Sequence, residues 1–148
     1  MVPDPPEAIT SSNGWDTITH KEYLKKIISI FHSNGIRTSI FVNPDVELVK
    51  NAADTKTDRV ELYTEPYATN YPLNREKAIE PFVSAAIAAQ GVGLGLNAGH
   101  DLSLENLNYF AKNIPNLLEV SIGHALISDA LYFGLENTIQ LYLKQLKF

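Results

Sequence analysis

Two periods of apolar residues alternate along the chain. Stretches with apolar positions three or four apart give way to short apolar or every-other-residue runs, and then return. Tyr23, Leu24, Ile27, Ile28, Ile30 and Phe31 lie at helical spacing and predict a helix with a wide apolar face. Thr19-His20-Lys21-Glu22 ahead of it has the form of a capping box, and Asn34-Gly35 behind it is a common stop. Residues 38–42 are β-branched and apolar and predict a buried strand. Asn43-Pro44-Asp45 then predicts a helix start, with Asn43 as cap, Pro44 in the first turn, and Asp45 and Glu47 at the positive end of the helix dipole. Residues 59–63 predict a second strand with Glu61 inside it, and 64–72 a long loop. The helical pattern over 74–90 contains Pro81, so a kink or two shorter helices are expected, ending at Gly91.

The next run, Val92-Gly93-Leu94-Gly95-Leu96-Asn97, alternates glycine with apolar residues and predicts a strand between close neighbours at 92–97. It breaks at Asn97-Ala98-Gly99-His100, small and polar, as a strand does when it hands over to a loop. Ser103 is a cap candidate for a helix over 104–113 carrying Leu104, Leu107 and Phe110, with Pro115 as breaker. A second unit copies the plan: a strand at 118–122, then Gly123-His124-Ala125, then a helical stretch over 125–146 interrupted near Gly134. Pro3, Pro5 and Pro6 keep the opening residues out of a regular element, and Thr10 to Gly14 reads as a turn-rich loop. The order is a helix, then strand–helix four times. That alternation predicts an α/β fold with a parallel sheet and right-handed crossovers.

Composition changes this picture little. The chain has 148 residues, 45% of them hydrophobic and 20% charged, which suits one unit with a real core. A net charge of -5 and the lack of a basic stripe argue against nucleic acid and anionic membranes as partners. Without cysteine there is no disulfide or thiol chemistry, and a reducing compartment, the cytoplasm, is the natural location. The opening residues lack the form of a signal peptide. The most apolar stretch, 82–99, is broken by Gln90 and glycines and does not read as a membrane span.

The chemistry gathers at the predicted strand ends. His100 sits just past one of them, where α/β folds collect ligands and catalytic groups, and an imidazole suits acid–base work. A lone loop histidine is more often satisfied by a nearby carbonyl, but the second Gly-His tips the balance. Gly123-His124 opens the last helical stretch, where free N–H groups hold anions and glycine permits close approach; a tight packing turn is the plainer reading. Glu61 is an acid within an apolar strand. It is either functional, or structural by pairing with Arg37 or Arg59 or by lying on the outer face, and spacing alone weighs the two equally. Glu61, His100, Asp101 and His124 have no local metal-ligand spacing, and no Gly-x-Gly-x-x-Gly precedes a helix, so neither a metal nor a dinucleotide is expected. Tyr23, Phe31, Phe110, Tyr132 and Phe133 read most simply as core.

Val2-Pro3-Asp4, Arg59-Val60-Glu61-Leu62-Tyr63-Thr64, Tyr67-Ala68, Leu96-Asn97-Ala98-Gly99-His100 and Ile122-Gly123-His124-Ala125 resemble, in order along the chain, the pyridoxine 5′-phosphate synthase family. The resemblance implies a (β/α)8 barrel in a symmetric homo-oligomer. It also implies condensation of 1-deoxy-D-xylulose 5-phosphate with 3-amino-2-oxopropyl phosphate in vitamin B6 biosynthesis, with no metal or organic cofactor. His100 matches the family's proton-donating histidine and Glu61 its transition-state-stabilising glutamate. Thr10 matches a contact to the pentulose phosphate, and Gly123 and His124 the pair that holds the aminoketone phosphate. Asp101 stands where the family often has a substrate-contacting glycine, and Glu65-Pro66 where one form of the family has Gly-Cys. A whole barrel of this type takes roughly 250 residues. The family's first three strands, with a base histidine, an acid–base glutamate and substrate arginines, have no counterpart here. Residues 1–148 are therefore read as a single partial domain, the C-terminal half of a TIM-type barrel, with two open sheet edges and an apolar inner face. Two other readings stay open: a non-catalytic fragment or association-dependent half barrel, and an unrelated phosphate-binding α/β protein.

Overall fold

A computed structural model describes residues 1–147. Helix α1 (Lys21–Ser33) leads into β1 (Ser39–Val42), α2 (Val46–Asp54) and β2 (Arg59–Tyr63). Two helices, α3 (Glu65–Asn70) and α4 (Arg75–Gly91), precede β3 (Gly95–Gly99). Then come α5 (Leu107–Asn113), β4 (Leu117–Ser121), α6 (His124–Phe133) and α7 (Leu135–Gln145). The four strands form one parallel sheet in the order β1-β2-β3-β4. Each helical crossover therefore returns the chain to the next position in the same direction.

Strand alternation divides the sheet into two chemically different faces. Ile40, Val42, Val60, Leu62, Leu96 and Ala98 point to one side and are buried in a single core with Leu24 and Ile28 of α1, Val49 of α2, Phe82 and Ala85 of α4, and Phe110 of α5. The opposite face carries Arg59, Glu61, Asn97, Glu119 and Ser121. There the Arg59 guanidinium pairs with Glu119 at 2.7 Å and donates to Asn97 Oδ1 at 3.2 Å, while Asn97 Nδ2 donates to Glu119 Oε2 at 3.2 Å. This face is thus mixed: the Arg59–Asn97–Glu119 cluster is polar and ion-paired, while Phe41, Tyr63 and Leu118 keep part of it apolar. Glu61 is paired with neither arginine, because Arg59 and Arg37 both turn to Glu119.

Several local expectations shift. The capping box does not form: Asp16 instead accepts from the Ile18 and Thr19 backbone N–H groups and the Thr19 hydroxyl, and His20 precedes α1 without a side-chain cap. Asp45, not Asn43, caps α2 by accepting from Glu47 and Leu48. The predicted loop at 64–72 contains α3, whose Pro66 sits in the first turn, where proline is tolerated. Helix α4 runs through Pro81 as one element, held by the burial of Ala78, Ile79, Phe82, Ala85, Ala86 and Ala89. Strand β3 begins at Gly95, since Gly93 at φ 77° belongs to the preceding turn, and it runs on through Asn97-Ala98-Gly99. Ser103 does not cap α5, which starts at Leu107 after Asn106. Gly134, at φ 77°, separates α6 from α7. Of the aromatic residues read as core, Phe110 is fully buried, but Tyr23, Tyr132 and Phe133 are at least half exposed.

The N-terminal segment crosses the C-terminal ends of the strands. Met1 makes the pair of bonds a parallel neighbour of β1 would make: its amino group donates to Ser39 O at 2.6 Å, and Phe41 N–H donates to its carbonyl at 2.9 Å. Gly14 passes so close to Val42 and Asn43 that a β-carbon would collide with their backbone, and its N–H donates to Asn43 Oδ1 at 2.9 Å. This crossing carries Thr10 and Ser11 over the sheet end.

Candidate active site at the carboxyl ends of the strands

The turn after β3 is built by three neighbours. His100 adopts φ 88°, a left-handed conformation that costs a non-glycine residue energy and persists only where the surroundings enforce it. Its N–H donates to Ser121 O at 2.8 Å. The fully buried Thr64, immediately after β2, donates its hydroxyl to Gly99 O and accepts from Asp101 N–H at 3.0 Å. Asn106 Nδ2 donates to Asp101 O at 3.3 Å, and its own carbonyl accepts from the Tyr67 hydroxyl at 2.8 Å. Burial of that phenol pushes its ionisation well above the ordinary tyrosine range, so it stays a donor.

The His100 ring is held at both nitrogens. Nδ1 lies 2.9 Å from Asp101 Oδ2, and Nε2 lies 2.9 Å from Thr10 Oγ1. Tyr63 and His124 flank it, with ring centroids 6.5 Å and 6.0 Å away. Burial of Tyr63, reinforced by the carboxylates of Asp101, Glu65 and Asp4, raises its pKa.

Glu61 enters from β2. Burial raises its pKa; the Met1 amino group, Ser121 and His100 pull the other way. Its carboxylate fits because position 99 is glycine: a β-carbon there would lie 2.7 Å from Glu61 Oε1 and 2.5 Å from Ser121 O. Gly123 precedes α6, and no atom lies within 4 Å of where its β-carbon would be, so its backbone stands open. Glu61, His100, Ser121, Gly123, Phe41 and Ser11 line one cleft of about 500 Å³.

All six residues singled out from sequence therefore meet at this end of the sheet. Glu61, His100 and Gly123 line the cleft, Thr10 and Asp101 bond to His100, and His124 packs beside it. Sequence reasoning misses Thr64 and Ser121. Thr64 lies inside a matched motif as the first hydroxyl after a strand, which is the available signal; Ser121 becomes visible only through strand register. A second hollow, about 420 Å³, lies under the free edge of β4 near Ile114, Leu118 and Leu146, away from His100. Among the described residues no three His, Asp or Glu side chains converge as a metal site requires. None of the described helices is long and apolar enough to cross a membrane.

A parallel α/β sheet with an imidazole, a half-buried carboxylate and an open helix start at the carboxyl end of its strands places the chain in the class of α/β proteins that gather their polar groups at that end. The chain belongs to the family described as Pyridoxal phosphate biosynthesis protein PdxJ, whose profile matches residues 1–148. It is 63% identical over 147 residues to a Cytophaga hutchinsonii protein named pyridoxine 5′-phosphate synthase, covering 99% of this chain and 62% of that relative. A Flavobacterium johnsoniae protein of the same name is 60% identical over the same shares of each chain. One from Bacteroides thetaiotaomicron is 64% identical over 142 residues, 96% of this chain and 60% of the relative. The chain thus spans about three-fifths of the length of these relatives.

Proposed function

We propose that this chain carries the C-terminal part of a pyridoxine 5′-phosphate synthase active site, and that its sheet is the second half of a (β/α)8 barrel within one partial domain. The observation that carries this reading is the convergence of His100, Glu61 and the Gly123 helix start on one cleft, in a chain of this family. The singly wound strand order and the parallel-type bonding of Met1 beside β1 support the barrel. In this reading the substrates are 1-deoxy-D-xylulose 5-phosphate and 3-amino-2-oxopropyl phosphate. His100 is the proton donor and Glu61 stabilises charge in the transition state. The backbone of Gly123 and His124 holds the aminoketone phosphate at the start of α6, where unpaired N–H groups favour an anion. Thr10 and Asp101 border the pentulose phosphate. The enzyme acts in the cytoplasm as a homo-oligomer.

The test joins this chain to the portion of the Cytophaga hutchinsonii relative that it does not match. The chimera is assayed for pyridoxine 5′-phosphate from both substrates. His100→Asn should cut turnover about a hundredfold or more, the usual scale of acid–base catalysis, with a smaller effect on KM. Near-unchanged turnover removes His100 from the chemistry. The second reading, a half barrel that acts only in association, is favoured by α6, which has no buried residue, and by the exposed Leu118 on the free edge of β4. The chain alone is then inactive, and activity returns when the missing portion is added as a separate polypeptide.

A further inference from the structure

We propose that Asp101 is a positioning residue that fixes which nitrogen of His100 carries the hydrogen in the neutral ring. The inference deepens the reading of His100 as a proton donor and rests on it. A carboxylate oxygen accepts hydrogen bonds, so the nitrogen 2.9 Å from Asp101 Oδ2 carries a hydrogen. That nitrogen is Nδ1. In the neutral ring Nε2 is then unprotonated and accepts from the Thr10 hydroxyl at 2.9 Å. When the ring takes up a proton, the proton goes to Nε2, and Nε2–H is the group that can be delivered to a substrate. Nδ1–H stays with Asp101 throughout. The hydroxyl–imidazole–carboxylate line therefore defines one tautomer and one direction of proton transfer.

The carboxylate is itself fixed. Asp101 N–H is held by the buried Thr64 hydroxyl, and Asp101 O by Asn106 Nδ2. The left-handed turn at His100 brings the two adjacent side chains together, with His100 N–H anchored on Ser121 O. Ring and carboxylate are about seven-tenths buried, with side-chain exposures of 30% and 26%, so water competes only in part for the bond. On this account Asp101 contributes by its side chain, and a carboxylate in a phosphate-binding site is tolerated because it faces the imidazole.

The experiment has two arms. In the first, the ring nitrogens of His100 are observed by ¹⁵N NMR in the 148-residue chain, at a pH where the ring is neutral. The Nδ1–H tautomer should dominate in the parent, and the Nε2–H form should become the major one in Asp101→Ala. A parent ring that is mainly Nε2–H overturns the proposal without any variant, and so does a tautomer unchanged in a folded Asp101→Ala. In the second arm the same substitution in the chimera should lower kcat about ten- to hundredfold while KM changes little. An unchanged kcat in an active chimera also overturns it. An active chimera in which His100→Asn is harmless refutes the proton-donor reading instead, and the tautomer result then stands by itself.

Discussion

Thr64→Val is the sharpest test of how the site is built. The substitution keeps the β-branched shape and removes one oxygen. That oxygen makes two hydrogen bonds at a fully buried position, donating to Gly99 O and accepting from Asp101 N–H. Each intact bond contributes about 1 kcal/mol net, and a buried backbone group left without a partner costs about 1–3 kcal/mol. Some relaxation of the 100–106 turn toward solvent is available, so the expected loss is about 2–4 kcal/mol. With a urea m-value of about 2 kcal/mol/M, the unfolding midpoint should fall by about 1–2 M.

The control is Thr64→Ser, which keeps both bonds and loses one buried methyl, worth about 1 kcal/mol. The assay is urea unfolding followed by circular dichroism, repeated at several protein concentrations so that association does not distort the midpoint. Amide exchange at Asp101 supplies a local readout and should quicken in the valine variant and not in the serine variant. If Thr64→Val is no less stable than Thr64→Ser, the hydroxyl is not what holds the turn, and the account of His100 at φ 88° must be replaced.

Three further outcomes are expected. Gly99→Ala would place a β-carbon 2.5 Å from Ser121 O and 2.7 Å from Glu61 Oε1, so it should cost about 1–3 kcal/mol and lower the thermal midpoint by about 3–10 °C; an unchanged midpoint would show that the strands part freely there. Because burial raises the Glu61 pKa, the folded chain holds that proton more tightly than the unfolded chain. Its contribution is full below the ordinary glutamate value of 4.5 and is lost as pH rises through the folded pKa. Glu61→Gln should therefore gain stability over the parent as pH rises from about 4 to about 7 in urea titrations, and parallel pH curves for the two proteins would remove the linkage. Gly123→Val should weaken binding of inorganic phosphate by calorimetry while the circular dichroism spectrum stays unchanged; equal binding would leave Gly123 as a turn residue only.

Element type is legible wherever periodicity is strong. Strand β2 matches its expected range residue for residue, because Val60 and Leu62 alternate with Arg59, Glu61 and Tyr63. The failures have local causes. Glycine at 91, 93 and 95 suggests an early start for β3, yet Gly93 is needed for its positive φ in the turn, and hydrogen bonding to β2 begins only at Gly95. Pro66 and Pro81 point to a loop and a kink, but one lies in a first helical turn and the other is outweighed by an alanine-rich buried face. The capping differences at Asp16 and Asp45 show several hydroxyls and carboxylates competing for the same N–H groups, a choice that depends on chain direction at the helix entry. Candidate site residues are legible because they fall at strand ends in distinctive short motifs. Their anchors are not, since the bonds Thr64–Asp101, Ser121–His100 and Tyr67–Asn106 join residues that are remote in sequence.

The polar cluster on the sheet face opposite the core bears on how the chain behaves in water. On that face Arg59, Asn97 and Glu119 are in mutual contact, with Arg37 at the margin and Phe41, Tyr63 and Leu118 beside them. The Arg59 hydrogen bond, helped by the charges of Arg37 and Arg59, holds the Glu119 carboxylate below its ordinary range. The ion-paired cluster tolerates water. Exposed apolar side chains include Leu118, which reaches over Gly95 beside Arg59, and Ile127, Leu131, Tyr132 and Phe133 on α6. Glu61 stands in its strand without an arginine partner because Arg37 and Arg59 both turn to Glu119, and its carboxylate faces the cleft near the Met1 amino group and Ser121.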